Sequence, residues 1–251
     1  IYIYILLFGL LITASFLSVM LGSVYINPAD ILKCFFTPDK TSVTYILIVN
    51  IRLPRMLGAI IAGMGLSVAG VILQGVMNNA LASPNTIGVN SGAGFFVMLA
   101  MMLFPHSGYA TSIASFVGAL LTTLAIYALA YMADSSRTTI ILAGITVSSF
   151  LNAGITLNIT SFLMGTLSGL TFNKIALPAI GIIAAVLVSF ILAKPLNILS
   201  LGDDYARSLG LNVPLTRFFL LVLSSIMAGL VVSFAGLLSF IGLIVPHICR
   251  T

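Results

Sequence analysis

Apolar residues run along this chain in long blocks instead of alternating, and short polar clusters punctuate the blocks. A helix needs roughly 20 apolar residues to cross bilayer hydrocarbon, whereas a barrel strand needs about 10 residues of alternating character. Long, unalternated blocks therefore predict helices, each of which satisfies its own backbone hydrogen bonds in lipid. Eight spans are expected: Ile1 to Gly22, Met56 to Val76, Ser91 to Phe104, Thr111 to Met132, Thr139 to Leu163, Ile175 to Ala193, Leu215 to Phe234 and a short Leu237 to Ile248. The fold class is all-α, a polytopic transmembrane helical bundle, with residues 1–251 read as one transmembrane domain because no shift in composition marks a second. The first block opens at Ile1 without an initiator methionine, so the natural start is expected upstream; the block is too long, and lacks the basic leader, for a signal peptide.

One polar segment breaks the pattern differently. Ser200 to Gly210 reads as a short, capped helix where a turn would suffice to join two spans. Asp203 and Asp204 occupy its first turn, favourable to the helix dipole, and Gly210 stands where a C-cap glycine belongs. Asp203 and Arg207 are four apart in the favourable order, and Leu201, Tyr205 and Leu209 form one apolar face. A helix this short is marginal alone in water, so it must dock against its own bundle or against a second subunit.

Composition narrows the function classes. The chain is 60% hydrophobic and 6% charged, against about 25% charged residues in a soluble domain. Its net charge of +5 is scattered over loops and span ends without a patch, which argues for membrane-edge anchoring in lipid and against nucleic acid. The basic residues divide evenly: Lys33, Lys40, Arg52, Arg55 and Lys174 fall on one side, Arg137, Lys194, Arg207, Arg217 and Arg250 on the other, so charge alone leaves the orientation open. Cys34 and Cys249 are expected on opposite sides of the membrane, and two His with two Cys lack metal-ligand spacing.

Every charged residue is expected in a loop or within about a turn of a span end. That disfavours a proton-coupled carrier, which keeps a charge at mid-membrane at a cost of about 2.5–3.5 kcal/mol. It also leaves no catalytic set for an intramembrane hydrolase. The glycines from Gly88 to Gly94 lack the Gly-Lys-Ser/Thr of a phosphate loop; Asn90 or Ser91 is instead expected to N-cap the third span. Ala59, Gly63 and Ser67, four apart, read as a helix-packing stripe. In Arg52-Leu-Pro-Arg55, Pro54 suits a helix's first turn, which sets Arg52 and Arg55 at the positive end of a dipole and requires something to offset them. Interfacial snorkelling and docking of a partner's acidic groups both fit.

The motifs are similar to those of the permease subunits of ATP-binding-cassette importers for ferric siderophores, haem and cobalamin. The resemblance rests on Arg52-Leu-Pro-Arg55, Gln74-Gly75, Asn79-Ala-Leu-Ala-Ser-Pro84, Gly88-Val-Asn-Ser-Gly-Ala93, Leu142-Ala-Gly144, Met164-Gly-Thr-Leu-Ser-Gly169, Ala206-Arg-Ser-Leu-Gly210 and Phe240-Ile-Gly-Leu-Ile-Val-Pro-His247, colinear over nearly the whole chain. It implies a homodimer or paired permease in a bacterial cytoplasmic (inner) membrane, each copy with ten spans. It implies a non-enzymatic subunit that binds no cofactor, with ATP and Mg carried by a cytoplasmic ATPase dimer. On the same ground Arg52 and Arg55 face outside and dock glutamates of an extracytoplasmic substrate-binding protein. Gly202, Asp203, Asp204, Tyr205, Ala206, Arg207, Ser208, Leu209 and Gly210 form the cytoplasmic coupling helix in the ATPase groove. Ferric siderophore is the first expected cargo, then haem, then cobalamin. An ATPase-independent carrier or channel, or a membrane scaffold, are the readings from other classes.

The chain departs from the family pattern at Ala80, where a proline is usual, between Gly144 and Met164, where it is about ten residues shorter than its relatives, and after Arg250, where further spans are expected. His247 is expected to cap or pack and His106 to sit at an interface, while Asn152 and Asn158 are expected to make interhelical hydrogen bonds.

Overall fold

The structure is a computed structural model that describes residues 2–36, 39–85, 87–104, 107–132, 136–153, 162, 164–238 and 240–250. All regular structure among these residues is helical. The long elements are α1 (Tyr2–Met20), α4 (Leu53–Met77), α6 (Gly108–Met132), α8 (Phe172–Ile191) and α11 (Val213–Ala235), each long and apolar enough to cross a bilayer. Shorter ones are α2 (Pro28–Phe36), α3 (Val43–Ile46), α5 (Val89–Leu103), α7 (Arg137–Ala153), α9 (Ala193–Ser200), α10 (Asp203–Ser208) and α12 (Ile241–Arg250). Each of the eight expected spans has a helix: α1, α4, α5, α6, α7, α8, α11 and α12. The end of the fifth span, residues 154–161 and 163, lies outside the described residues, as do His106 and Asn158.

The chain divides into two compact units, residues 1–60 with 167–176, and residues 61–166 with 177–251. In the first, Val19, Ile26, Ile31 and Ile48 are buried together, with Met20, Leu47, Leu53 and Met56 packed round them. The second span does not begin at Pro54. A π-helical turn, Leu47–Arg52, joins α3 to α4 in one helical run, Val43–Met77. Proline lacks an N–H and its ring crowds the carbonyl four residues back. A turn widened by one residue, in which Leu53 donates to the Ile48 carbonyl, makes room just ahead of it.

In the second unit α5, α6 and α11 pack side by side, with α7 against α5 and α6. Lipid offers no hydrophobic drive for helix association, so close approach decides the packing. Gly92 of α5 faces Gly118 and Thr122 of α6 so closely that an added Cβ would lie 2.0 Å from the Thr122 hydroxyl. Gly88, at φ +80°, is the N-cap of α5, whereas Asn90 and Ser91 lie inside its buried first turn. Only glycine enters that left-handed conformation without strain. The hydroxyls of Thr123 and Ser225 meet at 2.8 Å between α6 and α11, a buried polar tie.

The packing face of α4 is not the expected stripe. Ala59 is exposed and a Cβ on Gly63 would meet nothing, so this row is not buried against the described helices. The tight face lies further round the helix. Gly65 abuts Val231 and Ile182, Gly75 abuts Leu196, and Gly70 crosses α12 at Gly242, where a Cβ would sit 1.8 Å from the Gly242 carbonyl oxygen.

Candidate functional site

The expected helix from Ser200 to Gly210 is present but shorter, Asp203–Ser208: Ser200 ends α9, Leu201 caps it, and two glycines in conformations that other residues avoid bound α10. Gly202 enters it at φ +124° and Gly210 leaves it at φ +81°. At the C-terminal end the Leu211 N–H donates to the Ala206 carbonyl at 3.0 Å and the Gly210 N–H to the Arg207 carbonyl at 2.9 Å, the two bonds of a Schellman cap. Asn212 then caps α11, its Oδ1 accepting from the Leu215 N–H at 3.2 Å. The chain thus turns from α10 into a span within four residues.

The inner face of α10 is Ala206, fully buried, and Asp203. Asp203 does not pair with Arg207. Both its carboxylate oxygens accept from Nη2 of Arg217, at 2.8 and 2.7 Å, and Nη2 of Arg137 lies 3.0 Å from Oδ1. The Arg217 side chain is only 2% exposed. Arg137, at the first position of α7, also donates to the Leu199 carbonyl near the end of α9, at 2.9 Å. Burial pushes the Asp203 carboxyl upward, but its hydrogen bond to Arg217 and the charges of Arg217, Arg137 and Arg207 outweigh that and hold it below the usual carboxylate range.

Neither arginine was singled out from the sequence, yet a signal was there. Arg137 is the first residue of its helix and Arg217 the fifth of its own, near the helix ends where the dipole disfavours a cation. After Asp134 the chain has just two carboxylates, Asp203 and Asp204.

The outer face is apolar and open. Leu201 is 65% exposed, Tyr205 69% and Leu209 63%. Asp204, Arg207 and Ser208 are exposed beside them. The segment therefore docks on its own bundle through Asp203 and Ala206 while its larger apolar side chains remain uncovered.

Arg52 and Arg55 lie in the other unit and divide in role. They are not at a helix N-terminus, since the helical run begins at Val43, nine residues before Arg52. Arg52 reaches the C-terminal end of α1: Nη1 donates to the Val19 and Met20 carbonyls at 2.5 and 2.9 Å, and Nη2 donates to the Val24 carbonyl. A cation there satisfies carbonyls that α1 leaves unpaired and complements its dipole. Arg55 is exposed, as is His247 on α12, while Gln74 is buried with Nε2 3.5 Å from the Leu243 carbonyl. Asn152 is exposed on α7, so it makes no buried interhelical tie. Cys34 and Cys249 are free thiols, and among the described residues no three His, Cys, Asp or Glu side chains converge as a metal site.

Met164 to Gly169 has a structural basis too. Gly165, at φ +65°, lies so close to Leu237 that a Cβ would come within 2.8 Å of its carbonyl oxygen, and the Thr166 N–H donates to the Ala235 carbonyl at 2.8 Å.

Comparison with known proteins gives the chain a family and its fold a solved counterpart. The profile of the FecCD transport family matches residues 10–251. The chain is 34% identical to the Probable siderophore transport system permease protein YfhA of Bacillus subtilis, over 99% of this chain and 77% of that protein. It is 32% identical to the Fe(3+)-citrate import system permease protein YfmE of the same organism, over 96% and 75%. It is 31% identical to the Probable heme-iron transport system permease protein IsdF of Staphylococcus aureus, over 99% and 77%. Among solved structures, a metal-chelate type ABC transporter in an inward-facing conformation superposes with a TM-score of 0.83 at 26% identity, covering 98% of this chain and 80% of that one.

Proposed function

The chain belongs to the FecCD transport family, and from that premise we propose that it is the membrane permease of an ATP-driven importer whose cargo is a ferric chelate, a siderophore first. Two copies, or this chain and a paired permease, enclose the pathway in a bacterial cytoplasmic membrane. A separate ATPase dimer seats on α10, and an extracytoplasmic binding protein delivers the chelate. The observation that carries the reading is α10 itself, a capped polar helix that is anchored inward by Asp203 and keeps Leu201, Tyr205 and Leu209 open. Exposed apolar side chains on a short charged helix suit a protein groove better than water.

In this scheme the permease does no covalent chemistry. ATP binding draws the cassettes together, their grooves move α10, and the spans exchange between outward and inward states. The work comes from differential binding of nucleotide and cargo to the two states. Arg55 offers an exposed cation to acidic groups of the binding protein, while Arg52 holds the backbone that presents it. Ferric siderophore is preferred over haem because the relative of highest identity named here carries a siderophore description; iron-citrate and haem-iron relatives follow within three percentage points.

The test is uptake into proteoliposomes holding the chain, its cassette ATPase and its binding protein. Radio-iron offered as a ferric hydroxamate is expected to accumulate with ATP and not with a non-hydrolysable analogue. Equal accumulation without ATP contradicts the reading, and accumulation of haem alone moves the cargo to the second choice.

A further inference from the structure

The exposed face of α10 explains where a partner sits, but not how a six-residue helix moves spans many times its size. Force applied there has three exits: the backbone at each end, the small buried contact of Ala206, and the carboxylate of Asp203. The backbone exits are compliant. Gly202 and Gly210 flank the helix at φ +124° and +81°, and glycine changes φ and ψ more freely than any other residue. Ala206 offers one methyl group to the bundle.

The third exit is stiff. Nη2 of Arg217 bridges both oxygens of Asp203 at 2.8 and 2.7 Å, and Arg217 is 2% exposed, so the contact is shielded from water on the arginine side. An ion pair of this kind adds little net stability, yet pulling it apart is costly because the arginine is desolvated. Arg217 belongs to α11, which packs on α6 and α5, and the Tyr127 hydroxyl of α6 donates to the Pro214 carbonyl at 2.9 Å, one turn before Arg217. Arg137 carries the same carboxylate to α7 and, through the Leu199 carbonyl, to α9. One side chain therefore joins α10 to three helices.

We propose that Asp203 is the positioning residue of the transport cycle: its clasp by Arg217 and Arg137 locks α10 to α11 and α7, so that displacement of the coupling helix enters the spans as a rigid-body motion. The inference rests on the ATP-driven reading above. Hydrophobic contact alone would let α10 slide over its bundle. A bridged carboxylate fixes direction as well as distance.

The experiment uses the assembled complex with Cys34→Ser and Cys249→Ser as background. Spin labels are placed on Ser208→Cys in α10 and Phe219→Cys in α11, both exposed positions. The distance between them within one copy is expected to stay within about 1 Å between nucleotide-free and ATP-trapped states, while the distance between the Ser208→Cys labels of the two copies changes. Asp203→Asn, which keeps the shape and removes the charge, is expected to broaden the within-copy distance. It should also lower chelate transported per ATP hydrolysed by about tenfold, with Asp203→Glu restoring much of that ratio. A merely structural role would reduce the yield of complex and leave the ratio unchanged. A within-copy distance that shifts with nucleotide in the unsubstituted clasp overturns the proposal and leaves the ATP-driven reading standing, as does a normal ratio in Asp203→Asn. If neither distance responds to nucleotide, the ATP-driven reading fails and the proposal with it.

Discussion

Arg52 and Arg55 are neighbours on one helical run, and their surroundings set them different tasks. The Arg52 guanidinium donates to the Val19 and Met20 carbonyls at the end of α1 and to the Val24 carbonyl beyond it, so Arg52→Glu replaces three donated hydrogen bonds with an acceptor. Charged hydrogen bonds contribute about 1.5–3 kcal/mol each when lost from a shielded site, and a purified Arg52→Glu variant is expected to melt well below the parent. Arg55→Glu leaves that network intact and should weaken only the binding-protein affinity; an unchanged affinity removes Arg55 from the docking surface. Asp203 gives a pH signature. Its carboxyl is held below its ordinary value, so its contribution to stability is present above the unfolded pKa of about 4 and is lost as pH falls through the lower, folded value. Thermal unfolding followed from neutral pH into acid should show an acid limb that flattens in Asp203→Asn, and identical limbs would contradict the pairing. At this scale the sequence was legible where the partner is local and opaque where it is not. Gly210 was readable as a C-cap from its place after a short helix, but the partner of Asp203 is 14 positions away at Arg217 and further still at Arg137, beyond any i,i+4 rule.

The spans themselves follow from run length, because hydrocarbon thickness imposes it; which face of a span packs does not, because the neighbour decides. For α4 the four-residue spacing of Ala59, Gly63 and Ser67 pointed to one face, whereas the close crossings lie at Gly65, Gly70 and Gly75. Small residues occur on both faces, and spacing alone cannot rank them. The start of the same helix was misplaced for a related reason. Pro54 looks like a first-turn residue until a π-helical turn ahead of it gives its ring room. The Gly70 crossing of α12 yields a sharp prediction. Gly70→Leu meets the Gly242 backbone, which cannot turn aside as a flexible side chain would, and overpacking of this kind costs about 1–3 kcal/mol or more. Folded yield in detergent is expected to fall steeply, while Gly63→Leu, with nothing near its Cβ, leaves the folded yield of the chain intact. At α10, Gly210→Trp confronts no neighbour but must hold φ +81°, a left-handed conformation that costs an L-residue about 1–2 kcal/mol. Membrane insertion is expected to survive and ATP-coupled uptake to fall; unimpaired uptake would show that the exit from α10 does not transmit motion.

For the molecule as a whole, the sequence carried the fold class and the family through colinear motifs, and the structure supplies reasons for several of them. Gly88 is a left-handed cap, Gly92 a close crossing, Gly165 a loop pressed on Leu237, and Gly242 the partner of Gly70. These glycines make a helical framework, and on it Tyr205 of α10 and the flanking Leu201 and Leu209 stand uncovered. The account's central claim is that this face is the seat of a cytoplasmic ATPase. A single cysteine at Tyr205, in a chain without Cys34 and Cys249, can be probed with a membrane-impermeant maleimide in inside-out vesicles. The account predicts rapid labelling when the chain is expressed alone and strong protection when its cassette ATPase is co-expressed. Equal labelling with and without the ATPase, or no labelling in either case, would contradict it.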